Sequence, residues 1–197
     1  VSGLHVTFSP MVDLVRDPRW GRVMESTGED PLLNSRLAAA MVRGYQGENL
    51  KEDNWRVAAC VKHFAAYGGA LAGRDYNTVD MSERQLREMY LPGYKAGLDA
   101  GAKLVMTSFN TVDGIPATGN QWLFRDVLRN EFGFEGVVIS DWGAIKELIP
   151  HGVAKDEKQA AELAIKAGVD IEMMTTCYPD YLKELLEEGR IAETLID

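Results

Sequence analysis

Short apolar segments alternate with longer amphipathic segments along the whole chain, and this alternation limits the fold more than any other feature. Most of the apolar runs are continuous, which is typical of strands buried on both faces. A serial strand–helix order implies right-handed crossovers and a parallel sheet. The predicted strands are Val6–Val12, Val57–Phe64, Lys103–Phe109, Gly136–Ser140 and Val169–Met173, and the predicted helices are Asp30–Gln46, Ser82–Ala100, Asn120–Glu131, Asp156–Ala167 and Tyr178–Glu188.

The chain has 197 residues, whereas a complete (β/α)8 barrel usually takes ~250. The predicted fold is therefore α/β and TIM-barrel-like, but incomplete in this chain, with about five β/α units. The net charge of −9 without a basic patch argues against nucleic acid or an anionic membrane surface as a partner. No apolar run approaches the ~20 residues of a membrane-spanning helix.

The cysteines and histidines show no spacing typical of a metal site, a disulfide framework or a redox motif. The two cysteines, Cys60 and Cys177, lie far apart. A reducing, cytoplasmic compartment is slightly favoured, and a secreted or periplasmic location fits nearly as well. No nucleotide-binding glycine loop is present either, so we expect neither a metal nor an organic cofactor.

Polar side chains follow every predicted strand at its carboxyl end. In a parallel α/β sheet these ends meet at one rim, which is where such folds place their active sites. Five strand ends with reactive groups at one rim favour an enzyme. The groups are Asp13, Lys62–His63, Ser108–Asn110, Ser140–Trp142 and Glu172–Met174.

Asp141 is the strongest candidate for a catalytic residue, because it directly follows a buried strand and is followed by Trp142. A carboxylate beside a flat indole suits a sugar, whose C–H face packs on the ring while the carboxylate meets the anomeric carbon. An equally weighted alternative is that Asp141 caps a following helix. Lys62 and His63 can donate hydrogen bonds to adjacent hydroxyls, or instead can be a lysine that extends to solvent and a core histidine. Arg22 can reach into the site or belong to a salt-bridged surface loop.

Nine short motifs, in order and across nearly the whole chain, resemble the N-terminal barrel domain of family 3 glycoside hydrolases, the β-glucosidase and β-xylosidase family. Each motif alone is weak, but the ordered set is specific. They are Pro10–Asp13, Arg16–Arg22, Gly28–Pro31, Lys62–Phe64, Gly73–Asn77, Glu88–Pro92, Val105–Asn110, Gly114–Pro116 and Ser140–Trp142.

The resemblance implies a retaining mechanism, in which a carboxylate attacks the anomeric carbon and forms a covalent glycosyl-enzyme. Asp141 matches the catalytic nucleophile, and Trp142 matches the aromatic wall of the site. Phe109 stands where many relatives have a tyrosine close to the nucleophile, so one hydroxyl donor is missing here. The implied activity is that of a β-D-glucosidase, with a β-xylosidase or another exo-β-glycosidase as the alternative.

The resemblance also implies a substrate-binding set. Arg22, Lys62 and His63 match residues that hydrogen-bond the sugar in the −1 subsite, and Arg74 matches the arginine that orients this site. The partner so implied is a small carbohydrate, either a β-glucoside or an oligosaccharide.

Relatives take their acid/base from a second domain beyond the barrel, and a sugar-binding aspartate from an earlier strand. We therefore expect residues 1–197 to be one barrel domain truncated at both ends, which associates with the remaining parts of its parent protein or with a copy of itself. A retaining glycosidase needs two carboxyl groups, so the isolated chain is expected to be inactive or very weak.

Two rival functions follow from the same residues. A non-catalytic, sugar-binding half barrel keeps Lys62, His63 and Trp142 without turnover. A phosphate-binding barrel enzyme of another family needs a glycine-rich loop at a late strand, and Gly168–Asp170 is a poor match.

Overall fold

A four-stranded parallel sheet forms the centre of the molecule, in a computed structural model that describes residues 3–76 and 78–196. Val1, Ser2, Asn77 and Asp197, which belong to the predicted domain, lie outside the described residues. The strands are β1 (Val6–Thr7), β2 (Ala58–Phe64), β3 (Leu104–Thr107) and β6 (Val137–Ile139), and they pair in that order. Each strand pairs with the sheet strand that precedes it in sequence, as a serial β-α chain predicts.

The crossovers between the strands are helical. They contain α1 (Pro31–Gln46), the continuous helical stretch of α2 (Glu83–Gln85), π1 (Leu86–Tyr90) and α3 (Leu91–Asp99), and π2 (Trp122–Glu131), which has π-helical geometry. Two further helices, α4 (Glu157–Ala167) and α5 (Cys177–Glu187), follow β6. All five predicted helices are confirmed, with ends that differ by at most two residues.

Side-chain caps explain where three of the helices begin. Asp30 accepts hydrogen bonds from the Leu32 and Leu33 amides at 2.8 and 2.9 Å, and proline occupies the first position of α1. Ser82 accepts from Gln85 N–H at 3.2 Å, and Asp156 accepts from Gln159 N–H at 2.8 Å. These bonds satisfy amides that lack a partner in the first helical turn.

The strands differ more from prediction than the helices. Val6–Val12 is a strand only at Val6–Thr7, with an isolated parallel bridge from Met11 to Lys62. Val169–Met173 is reduced to a single bridge from Ile171 to Ile139. A short antiparallel hairpin of β4 (Thr111–Val112) and β5 (Ile115–Pro116) was not predicted. The carboxyl ends of β2, β3 and β6 nevertheless meet at one rim, which places the candidate residues together.

Among the residues described, no helix combines the length and the apolar character that crossing a membrane would require.

Candidate active site

Asp13 and His63 form the buried base of the site. Both are almost completely excluded from solvent, with exposures of 0% and 1%. Asp13 Oδ2 accepts hydrogen bonds from His63 Nδ1 at 2.7 Å and from the His63 amide at 3.1 Å. The Tyr94 hydroxyl reaches Asp13 Oδ1 at 2.5 Å. His63 is therefore a buried histidine whose ring is held by a carboxylate.

Asp141 lies at the carboxyl end of β6, and its carboxylate sits between two partners. Oδ1 accepts a hydrogen bond from the Trp142 amide at 2.6 Å. Oδ2 is 3.4 Å from His63 Nε2 and accepts no hydrogen bond from the residues described. Turns and a short 3-10 segment, Lys146–Leu148, follow Asp141, and its contacts differ from those of a helix N-cap.

The three predicted cationic residues differ in their surroundings. Arg22 pairs with Glu25 at 2.7 and 2.8 Å and stacks its guanidinium over the Tyr67 ring, 5.5 Å from the centroid. That hydrogen-bonded ion pair raises the pKa of Arg22 and lowers the pKa of Glu25. Lys62 is half-buried at the end of β2, close enough to Glu25 to help lower the pKa of that carboxyl.

Arg74 is exposed, and no polar contact joins its side chain to the other candidate residues in the part of the chain that the structure describes. Its backbone amide donates to Leu71 O at 3.2 Å and so closes a short turn. The structure therefore brings Arg22, His63 and Asp141 into one cluster and leaves Arg74 at its margin. The orienting role of Arg74 stays a prediction.

Aromatic rings build one side of the cluster. Phe109 is buried and stacks on Tyr76, with centroids 4.3 Å apart and planes 24° apart. Tyr67, which is fully buried, packs edge-on against both His63 and Phe109, at 5.2 and 5.8 Å. Trp142 is 62% exposed beside Asp141. A flat apolar wall beside a carboxylate suits the C–H face of a sugar ring.

A second carboxyl group lies near Asp141. Glu147 is half-buried in a cleft with Tyr76, Pro150 and His151, and partial burial together with the Asp141 charge raises its pKa to about 7. His151 Nε2 lies 3.1 Å from Phe109 O. Glu147 is thus a carboxyl group that changes charge near neutral pH and lies close enough to Asp141 to interact with its charge.

Within the described part of the chain, no three His, Cys, Asp or Glu side chains are placed to hold a metal ion. The Cys60 and Cys177 thiols are buried, and burial raises the pKa of each to about 12. Neither thiol is therefore a thiolate nucleophile at neutral pH.

The sequence of residues 1–197 matches the family model that describes the glycosyl hydrolase family 3 N-terminal domain. The chain belongs to glycosyl hydrolase family 3. Its fold accordingly is a partial (β/α) barrel of the kind that this family's N-terminal domains form, which confirms the predicted fold class.

Known family 3 proteins resemble the chain closely. A periplasmic β-glucosidase of Salmonella typhimurium is 50% identical over 99% of the chain, and a β-xylosidase of Formosa agariphila is 40% identical over 87%. The crystal structure of a Listeria innocua β-glucosidase in complex with glucose is 66% identical over 98% of the chain, with a TM-score of 0.96. A mutant of the same enzyme has been solved with laminaribiose. The chain spans about a quarter of the length of these relatives.

Sequence reasoning placed Asp13 at the rim without giving it a role, and it missed Tyr67 and Tyr94. Asp13 directly follows the first predicted strand, as Asp141 follows the fourth, so its position at the rim was predictable in the same way. Tyr67 follows Lys62–Phe64 by three positions, and Tyr94 lies within a predicted helix. No local pattern marks either tyrosine. Tyr94 contacts Asp13 across 81 positions. Tyr67, although close to His63 in sequence, is placed by packing on the distant Phe109.

Proposed function

We propose that this chain is the nucleophile-bearing barrel part of a retaining β-glycosidase, with a β-D-glucoside as its substrate. The observation that carries the proposal is the Asp141 carboxylate. One of its oxygens is fixed by the Trp142 amide, and the other accepts no hydrogen bond from the described residues. Such a carboxylate is held in place and still has lone pairs for attack on carbon.

In the proposed reaction, Asp141 attacks the anomeric carbon while the bond from that carbon to the aglycone oxygen breaks. An acid from outside this chain protonates the departing oxygen. Water then cleaves the glycosyl ester, giving its proton to the same group, and Asp141 returns as a carboxylate. Arg22, Lys62 and His63 bind sugar hydroxyls, Arg74 orients the site, and Phe109 and Trp142 flank the ring.

Two comparisons favour a glucoside over a xyloside. The β-glucosidases of Salmonella typhimurium and Listeria innocua are 50% and 66% identical, against 40% for the Formosa agariphila β-xylosidase. The partner is thus a small carbohydrate. We further propose that the chain works together with the remaining parts of its parent protein, and that neither nucleic acid nor a membrane is a partner.

The test is covalent trapping in the natural protein that contains this chain. A 2-fluoro-glucoside with a good leaving group is expected to inactivate the protein and to add one fluoroglucosyl group to the peptide that carries Asp141, as read by mass spectrometry. Asp141→Asn is expected to abolish labelling and to lower kcat by at least about a thousandfold.

The matched control is Asp126→Asn, at an exposed aspartate on π2, which is expected to label and turn over normally. Sugar binding by the wild-type protein with no adduct would instead support the non-catalytic, sugar-binding half barrel. An adduct on another carboxylate would reject Asp141 as the nucleophile.

The acid/base assignment has its own test, since the isolated chain is expected to turn over aryl β-glucosides very weakly or not at all. Substantial turnover by the isolated chain that Asp141→Ala abolishes would show that the chain contains its own acid. Glu147 would then be the first residue to substitute, because its pKa of about 7 leaves it partly protonated at neutral pH.

A further inference from the structure

The Asp13 carboxylate is completely buried and is surrounded by donors. Two come from His63, at 2.7 Å from Nδ1 and 3.1 Å from the amide, and the third is the Tyr94 hydroxyl at 2.5 Å. A carboxylate in such a position is costly unless its oxygens are paired. Because Asp13 Oδ2 accepts the bond from the ring, the proton on Nδ1 is fixed.

The opposite ring nitrogen of His63 faces the second carboxylate. Nε2 lies 3.4 Å from Asp141 Oδ2, an ion-pair distance slightly longer than a hydrogen bond. The edge contact with Tyr67, at 5.2 Å, restricts rotation of the imidazole ring. With Nδ1 already protonated, a neutral ring would turn a lone pair towards Asp141 Oδ2, whereas an imidazolium donates to Asp13 and turns a positively charged N–H towards Asp141.

We propose that Asp13 is a positioning residue, which holds His63 as an imidazolium aimed at Asp141 and so fixes the nucleophile in its attacking orientation. The inference rests on the proposed function, because it assigns Asp13 a part in the same reaction. Asp13 itself touches neither the substrate nor the reacting atoms. It acts through the ring of His63, and the Tyr94 hydroxyl donates a hydrogen bond to its other oxygen, Oδ1.

The geometry explains why His63 needs the negative charge of the Asp13 carboxylate, and not only a side chain of the same size and shape. An asparagine there keeps the size of the side chain, and its amide oxygen can still accept from Nδ1. The negative charge that offsets the buried imidazolium is lost, however, so the neutral ring and its outward lone pair are favoured. Repulsion between that lone pair and Asp141 Oδ2 then disturbs the nucleophile.

The kinetic test compares Asp13→Asn with the exposed control Asp126→Asn in the natural protein that contains this chain. We expect Asp13→Asn to lower kcat by at least about tenfold, less than the ~10²–10³ lost with a direct transition-state donor, with KM changed by less than about threefold. Asp126 lies outside the cluster, so Asp126→Asn is expected to keep both kcat and KM within about twofold of wild type.

Titration of active sites with the 2-fluoro-glucoside separates this effect from misfolding. A merely structural role predicts fewer active molecules, each with wild-type kcat, whereas positioning predicts a full count of slower molecules. A kcat for Asp13→Asn within about twofold of wild type, per titrated site, would overturn the proposal.

A spectroscopic measurement needs no turnover, and its wild-type half needs no variant. In protein labelled with ring-¹⁵N histidine, the wild-type His63 signals are expected to show protons on both Nδ1 and Nε2 at neutral pH, and Asp13→Asn is expected to lose the Nε2 proton. A wild-type ring with a single proton would reject the proposal. Trapping at a carboxylate other than Asp141 would reject the proposed function. The measured protonation state of the His63 ring would still be valid in that case.

Discussion

Glu147 lies half-buried six residues after Asp141 and makes no ion pair with the residues that the structure describes. Desolvation is the larger cause of its raised pKa of about 7, and the Asp141 charge is the smaller. A carboxyl group with a raised pKa in the folded state stabilises the fold while it is protonated. That contribution is complete below the ordinary value of 4.5 and is lost as the pH rises through about 7.

Glu147→Gln is therefore expected to flatten the pH dependence of stability between pH 4.5 and 7. Because the side chain is only half-buried and water still screens its charge, we expect the difference to be only about 1 kcal/mol. Chemical denaturation at several pH values measures it. The exposed Glu135 provides a matched control, Glu135→Gln, which is expected to follow wild type. A parallel loss of stability in wild type and Glu147→Gln would contradict the assignment.

The residue scale is also where prediction from sequence was most uneven. Asp141 and Trp142 follow a clear buried strand, so their place at the rim was predictable. The contact between His63 and Asp13 was not, because it joins side chains 50 positions apart and depends on the register of two strands. Tyr76 and Phe109 carry no local sign that they stack.

Helices α1 and α3 pack closely because a glycine allows it. A methyl group built on Gly93 would lie 1.7 Å from Asn34 Oδ1, well inside contact distance. Asn34 has little freedom to move away, since its amide donates to Val12 O at 3.1 Å and to Thr27 Oγ1 at 2.7 Å. This buried polar contact joins the two helices to the segment that carries Asp13.

Gly93→Ala is accordingly expected to lower the free energy of unfolding by about 2 kcal/mol or more, because the added methyl overpacks the interface. Gly44→Ala is the matched control. Gly44 is an exposed helical position with nothing within 4 Å of a new methyl group, so higher helix propensity is expected to add up to about 1 kcal/mol. Urea denaturation of both variants measures the two effects, and equal stability of the pair would contradict this account of the packing.

Element boundaries were predictable where a local signal exists. Residue types that favour N-cap positions predicted three helix starts. These residues are Asp30, Ser82 and Asp156, and each caps its helix in the structure. The hairpin of β4 and β5 has a local signal that was overlooked, Asp113–Gly114 between two apolar residues. The shortening of the fifth strand has no such signal, because backbone pairing across the fold decides it. The π-helical geometry of π2 has no local signal either.

Among the residues that the structure describes, two segments expose several large apolar side chains close together. Leu33, Leu37 and Met41 form an exposed stripe at four-residue spacing on α1. The segment around β1, at the edge of the sheet, exposes Leu4, Val6 and Phe8. Open strand edges and apolar stripes of this kind promote association.

The isolated chain is therefore expected to self-associate in a concentration-dependent manner, as measured by sedimentation velocity. Replacing Leu33, Leu37 and Met41 together by glutamine is expected to reduce this association, since glutamine keeps good helix propensity. Met24→Gln, at a 91% exposed position outside α1, is the control and is expected to behave as wild type. Unchanged association of the triple variant would show that the stripe is not responsible.

The serial order of the sheet also has a consequence for how the chain assembles during synthesis. Each sheet strand pairs with the one made just before it, so the sheet can grow at a single edge as the ribosome releases successive β/α units. Asp13, His63 and Tyr94 are all available before β3 emerges, whereas Asp141 arrives only with β6. The frame around the proposed nucleophile can thus form first, and the Asp141 carboxylate joins a histidine that is already in place.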